Sequence, residues 1–163
     1  MHLKILLLIV LTIALVGIAQ LGTVDAAIHT FESEWGQSGI FKPGSFLSPQ
    51  HLAFDSENNV YITDLGNARI QKFTFDGEYV SHFGQSGKRG GNFITPVDIV
   101  INSDKIYVTD SNLNKIIIFD IEGNYKNTFN DTVGGYAIYP EGISLDSEGN
   151  IYVADYRNNR IIQ

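Results

Sequence analysis

The sequence predicts an all-β fold built from repeated four-stranded antiparallel units. Three observations predict it. Tyr61-Ile62-Thr63-Asp64 returns as Tyr107-Val108-Thr109-Asp110 and again as Tyr152-Val153-Ala154-Asp155. Five residues after each Asp stands a base, Arg69, Lys115 or Arg160, followed by Ile70, Ile116 or Ile161. Between these markers, β-branched and aromatic runs alternate with breaks of Gly, Asn and Asp, and helical spacing is absent after residue 27. Four short strands in every 40–50 residues or so is how β-propeller blades are encoded, so the chain reads as about three blades of a partial propeller.

The first element is an address label. Met1–Lys4 carries one positive charge, Ile5–Ala19 is apolar apart from Thr12 and Gly17, and Val24-Asp25-Ala26 before Ala27 fits a small-x-small cleavage site. This predicts a hydrophobic helix over residues 1–26, a signal peptide. The uncharged stretch from Ile5 to Val24 also suits a membrane anchor, since about 20 residues span a bilayer. Either reading places residues 27–163 outside the cytoplasm, secreted or held at the membrane by this segment.

The blades follow in order. Residues 29–36 read as an extra outer strand, because Trp35-Gly36-Gln37-Ser38-Gly39 parallels Phe83-Gly84-Gln85-Ser86-Gly87. The first unit, about 49–83, has strands at Leu52–Phe54, Val60–Asp64, Arg69–Phe75 and Glu78–Phe83. Turns at 55–59 and Asp76-Gly77 separate them. The second unit covers about 96–129. The third, 140–163, contributes two strands and the start of a third. Pro49, Pro96 and Pro140 open the units.

The unit Pro-x-x-Ile/Leu … Asp-x-x-Gly/Asn-Asn-Val/Ile-Tyr-Val/Ile-Ala/Thr-Asp … Asn-x-Arg-Ile resembles the NHL repeat. The third copy carries it most fully, in Pro140-Glu141-Gly142-Ile143, Asp146–Asp155 and Asn158-Asn159-Arg160-Ile161. The resemblance covers about residues 31–163. It implies a six-bladed type of propeller, with docking of protein or RNA among the family's roles and a zinc-dependent amidating lyase in one branch. In that branch the zinc histidines follow the Pro. Here the matching slots hold Gln50, Val97 and Glu141, so neither zinc nor any other cofactor is expected, and no catalytic residue is assigned.

An open arc of three blades bares both end blades and unpaired strand edges, a surface beyond what a monomer ordinarily exposes. Two explanations are expected to compete: a fragment of a longer propeller, or a dimer in which two copies close a ring. Because the third unit ends in mid-strand, the fragment is favoured.

Internal repetition separates scaffold from site. Asp64, Asp110 and Asp155, with Arg69, Lys115 and Arg160, recur and are expected to hold loops through hydrogen bonds and ion pairs. The turns Asp55–Asn59 and Asp146–Asn150 faintly suggest calcium loops but lack a terminal bidentate Glu, so hairpin turns explain them. The slots after each Pro do vary: Gln50-His51, Val97-Asp98, Glu141-Gly142. Gln50, His51, Asp98 and Glu141 at the central opening, with Lys88, Arg89 and Arg157 on the loops, are the candidate ligand-binding residues. His51 and Asp98 could form an acid–base pair. Lys88 and Arg89 tip the Gly84–Gly91 segment, which reads as a flexible inter-blade loop. Asn130-Asp131-Thr132 is the only glycosylation sequon.

Charge sorts by loop. Of 163 residues, Lys+Arg is 11 and Asp+Glu 18, a net −7. The one-to-two and three-to-four turns gather Asp55, Glu57, Asp76, Glu78, Asp104, Asp120, Glu122, Asp146 and Glu148. The opposite loops gather Lys42, Arg69, Lys88, Arg89, Lys115, Arg157 and Arg160, against six acids. One face is therefore expected to be acidic and the other near neutral with basic spots. The overall balance argues against nucleic acid as partner. With no Cys there is no disulfide, thiolate metal site or cysteine nucleophile, and no ring domain of the ubiquitin-ligase relatives. The function expected is an exported interaction module for a protein or small ligand. The alternative is a propeller-type lyase or hydrolase whose site is completed by further blades.

Overall fold

The computed structural model describes residues 33–130 and 132–163. The leader of residues 1–26, and residues 29–32 of the expected outer strand, lie outside the described residues. Trp35–Gln163 forms one compact unit. Its regular structure is β, with single 3-10 turns at Leu65–Asn67 and Tyr156–Asn158 and no α-helix among the described residues.

Ser33–Gly36 is not strand; the chain enters through β1 (Gln37–Ser38), paired in parallel with β2 (Ser45–Phe46). The first blade is β3 (Pro49–Phe54), β4 (Val60–Asp64), β5 (Arg69–Phe73) and β6 (Tyr79–Phe83), hydrogen-bonded in that order. The second is β7 (Pro96–Asn102), β8 (Lys105–Asp110), β9 (Lys115–Asp120) and β10 (Tyr125–Phe129). A small hairpin, β11 (Thr132–Val133) with β12 (Tyr136–Ala137), leads into β13 (Pro140–Leu145), β14 (Ile151–Asp155) and β15 (Arg160–Ile162) of the third. All pairings within the blades are antiparallel. The first strands are neighbours: β3 packs beside β7, and β7 beside β13. The sheets are thus arrayed as vanes, first strands innermost.

Period-2 alternation explains the packing, because successive side chains leave opposite faces of a strand. On β4, Tyr61 enters the core between the first two blades while Val60 and Ile62 enter the core on the other face of blade one. On β8, Ile106 and Val108 join the former core and Tyr107 faces the third blade. That second interface is built on Ile116, Ile143 and Val153. Trp35 closes the outer core against Phe46 and Phe73, with ring centroids 6.4 and 4.7 Å away. Its slot is that of Phe83. A Cβ on Gly77 would lie 2.5 Å from the Trp35 ring, and one on Gly123 2.5 Å from the Phe83 ring. Both glycines also have positive φ, +85° and +86°. Each three-to-four turn therefore needs glycine twice over, for its backbone and for the aromatic laid across it.

Two local expectations are corrected. The third strand of blade one ends at Phe73 rather than Phe75, because Thr74 N–H already bonds Glu78 C=O and starts the turn, leaving Phe75 exposed. The Gly84–Gly91 segment is tied down rather than loose. Gly87 N–H donates to Phe93 C=O and Phe93 N–H to Gln85 C=O, both at 2.9 Å.

Candidate functional site

The site forms where each first strand begins. Pro49, Pro96 and Pro140 pair with Asp64, Asp110 and Asp155 at the ends of the second strands. In all three blades the register slips between the Pro and the third residue after it. The slip falls on Gln50-His51, Val97-Asp98 and Glu141-Gly142. A bulge turns side chains out of the regular alternation, and these pairs stand at the inner edge of each vane.

His51 and Asp98 are brought together. His51 Nδ1 lies 3.2 Å from Asp98 Oδ1, with side chains 52% and 15% exposed. Asp98 Oδ1 also accepts Ile99 N–H at 2.8 Å, and Oδ2 accepts Ile143 N–H at 2.9 Å. One carboxylate thus joins three blades and holds the imidazole at Nδ1. Donation from Nδ1–H leaves Nε2 with its lone pair. Gln50 is exposed, and its side chain makes only long contacts, 3.4 Å, to the Ser48 and Pro49 carbonyls. The half-buried Glu141 follows on the next blade.

The recurring carboxylates are occupied by the scaffold. Asp64, fully buried, accepts from Leu47 N–H (2.8 Å), Asn67 Nδ2 (2.8 Å), Arg69 Nε (2.9 Å) and Gln71 Nε2 (3.0 Å). Asp155 accepts from Tyr139 N–H, Asn158 Nδ2 and Arg160 Nε. Its burial pushes the carboxyl up, but Asn158, Arg160 and the Tyr139 amide outweigh that and hold it below the usual carboxylate range. Asp110 is met by the amides of Ile94, Thr95 and Leu113 instead of a base. Lys115 reaches away to Lys88 C=O at 3.5 Å. Asp55 and Asp146 fold their own turns, taking the amides of Glu57 and Asn59, or of Glu148 and Asn150, on Oδ1. No cluster of three or more His, Cys, Asp or Glu able to hold a metal occurs among the described residues.

Lys88, Arg89 and Arg157 are exposed on the loops at this same end of the sheets, with the Arg157 guanidinium 4.8 Å from the Tyr139 ring centre. They do not touch the His51–Asp98 pair through any hydrogen bond or ion pair among the described residues. Sequence reasoning missed Thr63 and Thr109. Their hydroxyls donate across to the next blade, to Val97 C=O (3.0 Å) and Glu141 C=O (2.7 Å). Their recurrence just before the Asp was the available signal. Phe41, Gln71 and His82 do not recur, and nothing in the repeat pointed to them.

The NHL repeat family matches residues 46–73 and 138–163. Protein brain tumor of Drosophila melanogaster is 30% identical over 81% of this chain and 13% of its own length. A probable peptidyl-alpha-hydroxyglycine alpha-amidating lyase of Caenorhabditis elegans is 27% identical over 74% of this chain and 38% of its own. This chain therefore spans well under half of either relative. Among solved structures, a putative exported protein from Bacteroides fragilis superimposes with TM-score 0.61 at 15% identity, covering 81% of this chain and 36% of that one. A virginiamycin B lyase from Staphylococcus aureus gives 0.56 at 21%, covering 75% and 39%. At such identities these structures speak for the fold. Repeat match, relatives and vane-like sheets agree: the chain belongs to the NHL-repeat β-propeller family.

Proposed function

We propose that this chain is an extracytoplasmic binding module that takes a protein segment or small ligand at the end of the sheets where the inner strands bulge. The observation that carries the reading is the His51–Asp98 pair. Asp98 is fixed by amides of two blades, so it holds a half-exposed imidazole in one orientation with Nε2 open to a ligand. Scaffold carboxylates elsewhere are consumed by internal bonds, whereas at the same bulges Gln50 makes only 3.4 Å contacts and the Glu141 carboxylate accepts no hydrogen bond among the described residues. Export rests on the layout of residues 1–26, and fusion of that segment to a reporter active only outside the cytoplasm tests it.

Binding is tested by melting the protein against a panel of sugars, short peptides and organic acids, with His51→Ala and Asp98→Asn alongside. At least one compound raises the wild-type Tm and fails to raise that of His51→Ala. Equal shifts in both proteins, or none in either, would defeat the reading. The same pair supports a second reading, a lyase or hydrolase in which His51 Nε2 takes a proton while Asp98 steadies the ring. The two separate on turnover: a compound bound by the wild type and consumed only when His51 is present makes the site catalytic.

A further inference from the structure

We propose that a groove between two inter-blade loops, residues 39–42 and 84–89, docks an extended acidic segment of a protein partner, with Phe41 as the apolar anchor and Lys42, Lys88 and Arg89 taking carboxylates. This surface is separate from the His51–Asp98 pair and goes beyond the binding reading above.

The groove is a cavity of about 500 Å³ lined by Phe41, Asn67, His82, Gln85 and Ser86 over Arg69. It holds no carboxylate. Its most unusual wall is Phe41, a bulky residue at φ +54° that is 67% exposed. A left-handed phenylalanine needs its backbone held. Here Asn67 Oδ1 accepts its N–H at 3.0 Å, and Arg69 Nη1 donates to its carbonyl at 3.3 Å. The scaffold fixes Phe41 by its main chain and leaves the ring in water. Such a ring is presented rather than packed.

In the second blade Lys115, in the Arg69 slot, reaches the carbonyl of the exposed Lys88 at 3.5 Å, so a base stands on the neighbouring loop.

Charge selects the partner. The loops of this end gather seven bases against six acids by sequence, yet Asp64, Asp110 and Asp155 are wholly buried. Among the described residues, Lys42, Lys88, Arg89 and Arg157 are exposed on the inter-blade and two-to-three loops, the first three on the loops that flank the groove rather than in its lining; Glu34, in the entry segment, is the exposed acid and Glu141 is half-buried. A positive rim on a protein of net −7 attracts a short acidic segment locally, while the acidic body repels a long polyanion. An exposed Phe beside lysines also suits a peptide with an apolar side chain among its carboxylates.

The test is selection of a random 12-residue phage-displayed library on the immobilised full chain, on Lys88→Glu/Arg89→Glu, on Phe41→Ser and on His51→Ala. Expected is enrichment of Asp/Glu-rich peptides with an apolar anchor. The strongest peptide should bind the charge-reversed protein and Phe41→Ser at least tenfold more weakly, with His51→Ala unaffected and all variants melting with the wild type. Neutral or basic winners, or none, overturn the proposal. So does a winner lost in His51→Ala but kept in Lys88→Glu/Arg89→Glu, which leaves the central site standing and removes the groove. Binding of poly-uridine RNA that the charge reversal abolishes assigns the groove to nucleic acid instead.

Discussion

Asp64 shows what a single buried charge does here. Its two oxygens gather four donors from the entry loop, the two-to-three turn and β5, and its ion pair with Arg69 is almost sealed from water, at 0% and 3% exposure. Arg69 in turn donates to the carbonyls of Phe41, Lys42 and Ser45. Asp64→Ala strands a buried guanidinium and is expected to cost about 3–5 kcal/mol, enough to lower Tm sharply in a thermal melt. Asp110 lacks the pair, since Lys115 points elsewhere, so Asp110→Asn should be distinctly milder than Asp64→Asn. Equal losses would show that the base contributes nothing. At Thr63 and Thr109 one hydroxyl bridges two blades. Thr63→Val is expected to remove about 1 kcal/mol, read from denaturant midpoints. The third copy already has Ala154 at this slot.

At the scale of elements, the strands were legible because alternation and turn residues agree. Val60–Asp64 and Arg69–Phe73 each send alternate side chains into two cores, one on either face of the sheet, and are closed by Asn, Asp or Gly. The strand of blade one overran in the sequence reading because Thr74 and Phe75 have strand-like side chains, whereas the main-chain bond from Thr74 to Glu78 decides. The bulges after each Pro were not legible as bulges. Nothing in Gln50-His51 or Val97-Asp98 encodes a register slip, yet the slip is what turns those side chains inward. His51 and Asp98 could be singled out as a pair because both fall two residues after a Pro. The groove could not be foreseen, since Phe41 lies outside the repeat and its orientation comes from Asn67 and Arg69 across 26 and 28 residues of chain. Glycine requirements test the element packing directly. Gly123→Ala forces a Cβ to 2.5 Å from the Phe83 ring, while Gly90→Ala, also at positive φ, meets nothing within 4 Å. Gly90→Ala should cost about 1 kcal/mol of backbone strain and Gly123→Ala at least twice that, measured by urea unfolding of both variants.

Across the whole molecule, blades are joined by carboxylates and hydroxyls as much as by apolar cores, and this sets its response to acid. Several aspartates titrate below their ordinary range in the folded protein. Asp120 is held down to about 2, first by Lys126 and then by the side chain and amide of Asn124. Asp146 is lowered chiefly by Asn150. For Asp55, burial pushes up, but Asn59, the Glu57 amide and Lys72 prevail and leave it lowered. Asp155 behaves likewise through Asn158 and Arg160. A carboxyl depressed on folding contributes stability above its unfolded pKa, about 3.9, and loses it as pH falls through the folded value. Tm should therefore stay level with respect to these groups from pH 7 to about 5, then fall steadily toward pH 2. The loss should be local in its origin: Asp155→Asn, which cannot titrate, lowers Tm at pH 7 but flattens the acid limb. Because Tyr61 Oη joins Asp55 of blade one to the Ile121 carbonyl of blade two, protonation of Asp55 loosens an interface as well as its own turn. Hydrogen exchange at pH 3 should open the amides between blades one and two before those inside β8 and β9. A uniform loss of protection across both blades would show that the acid transition is a single global unfolding, indifferent to these ties.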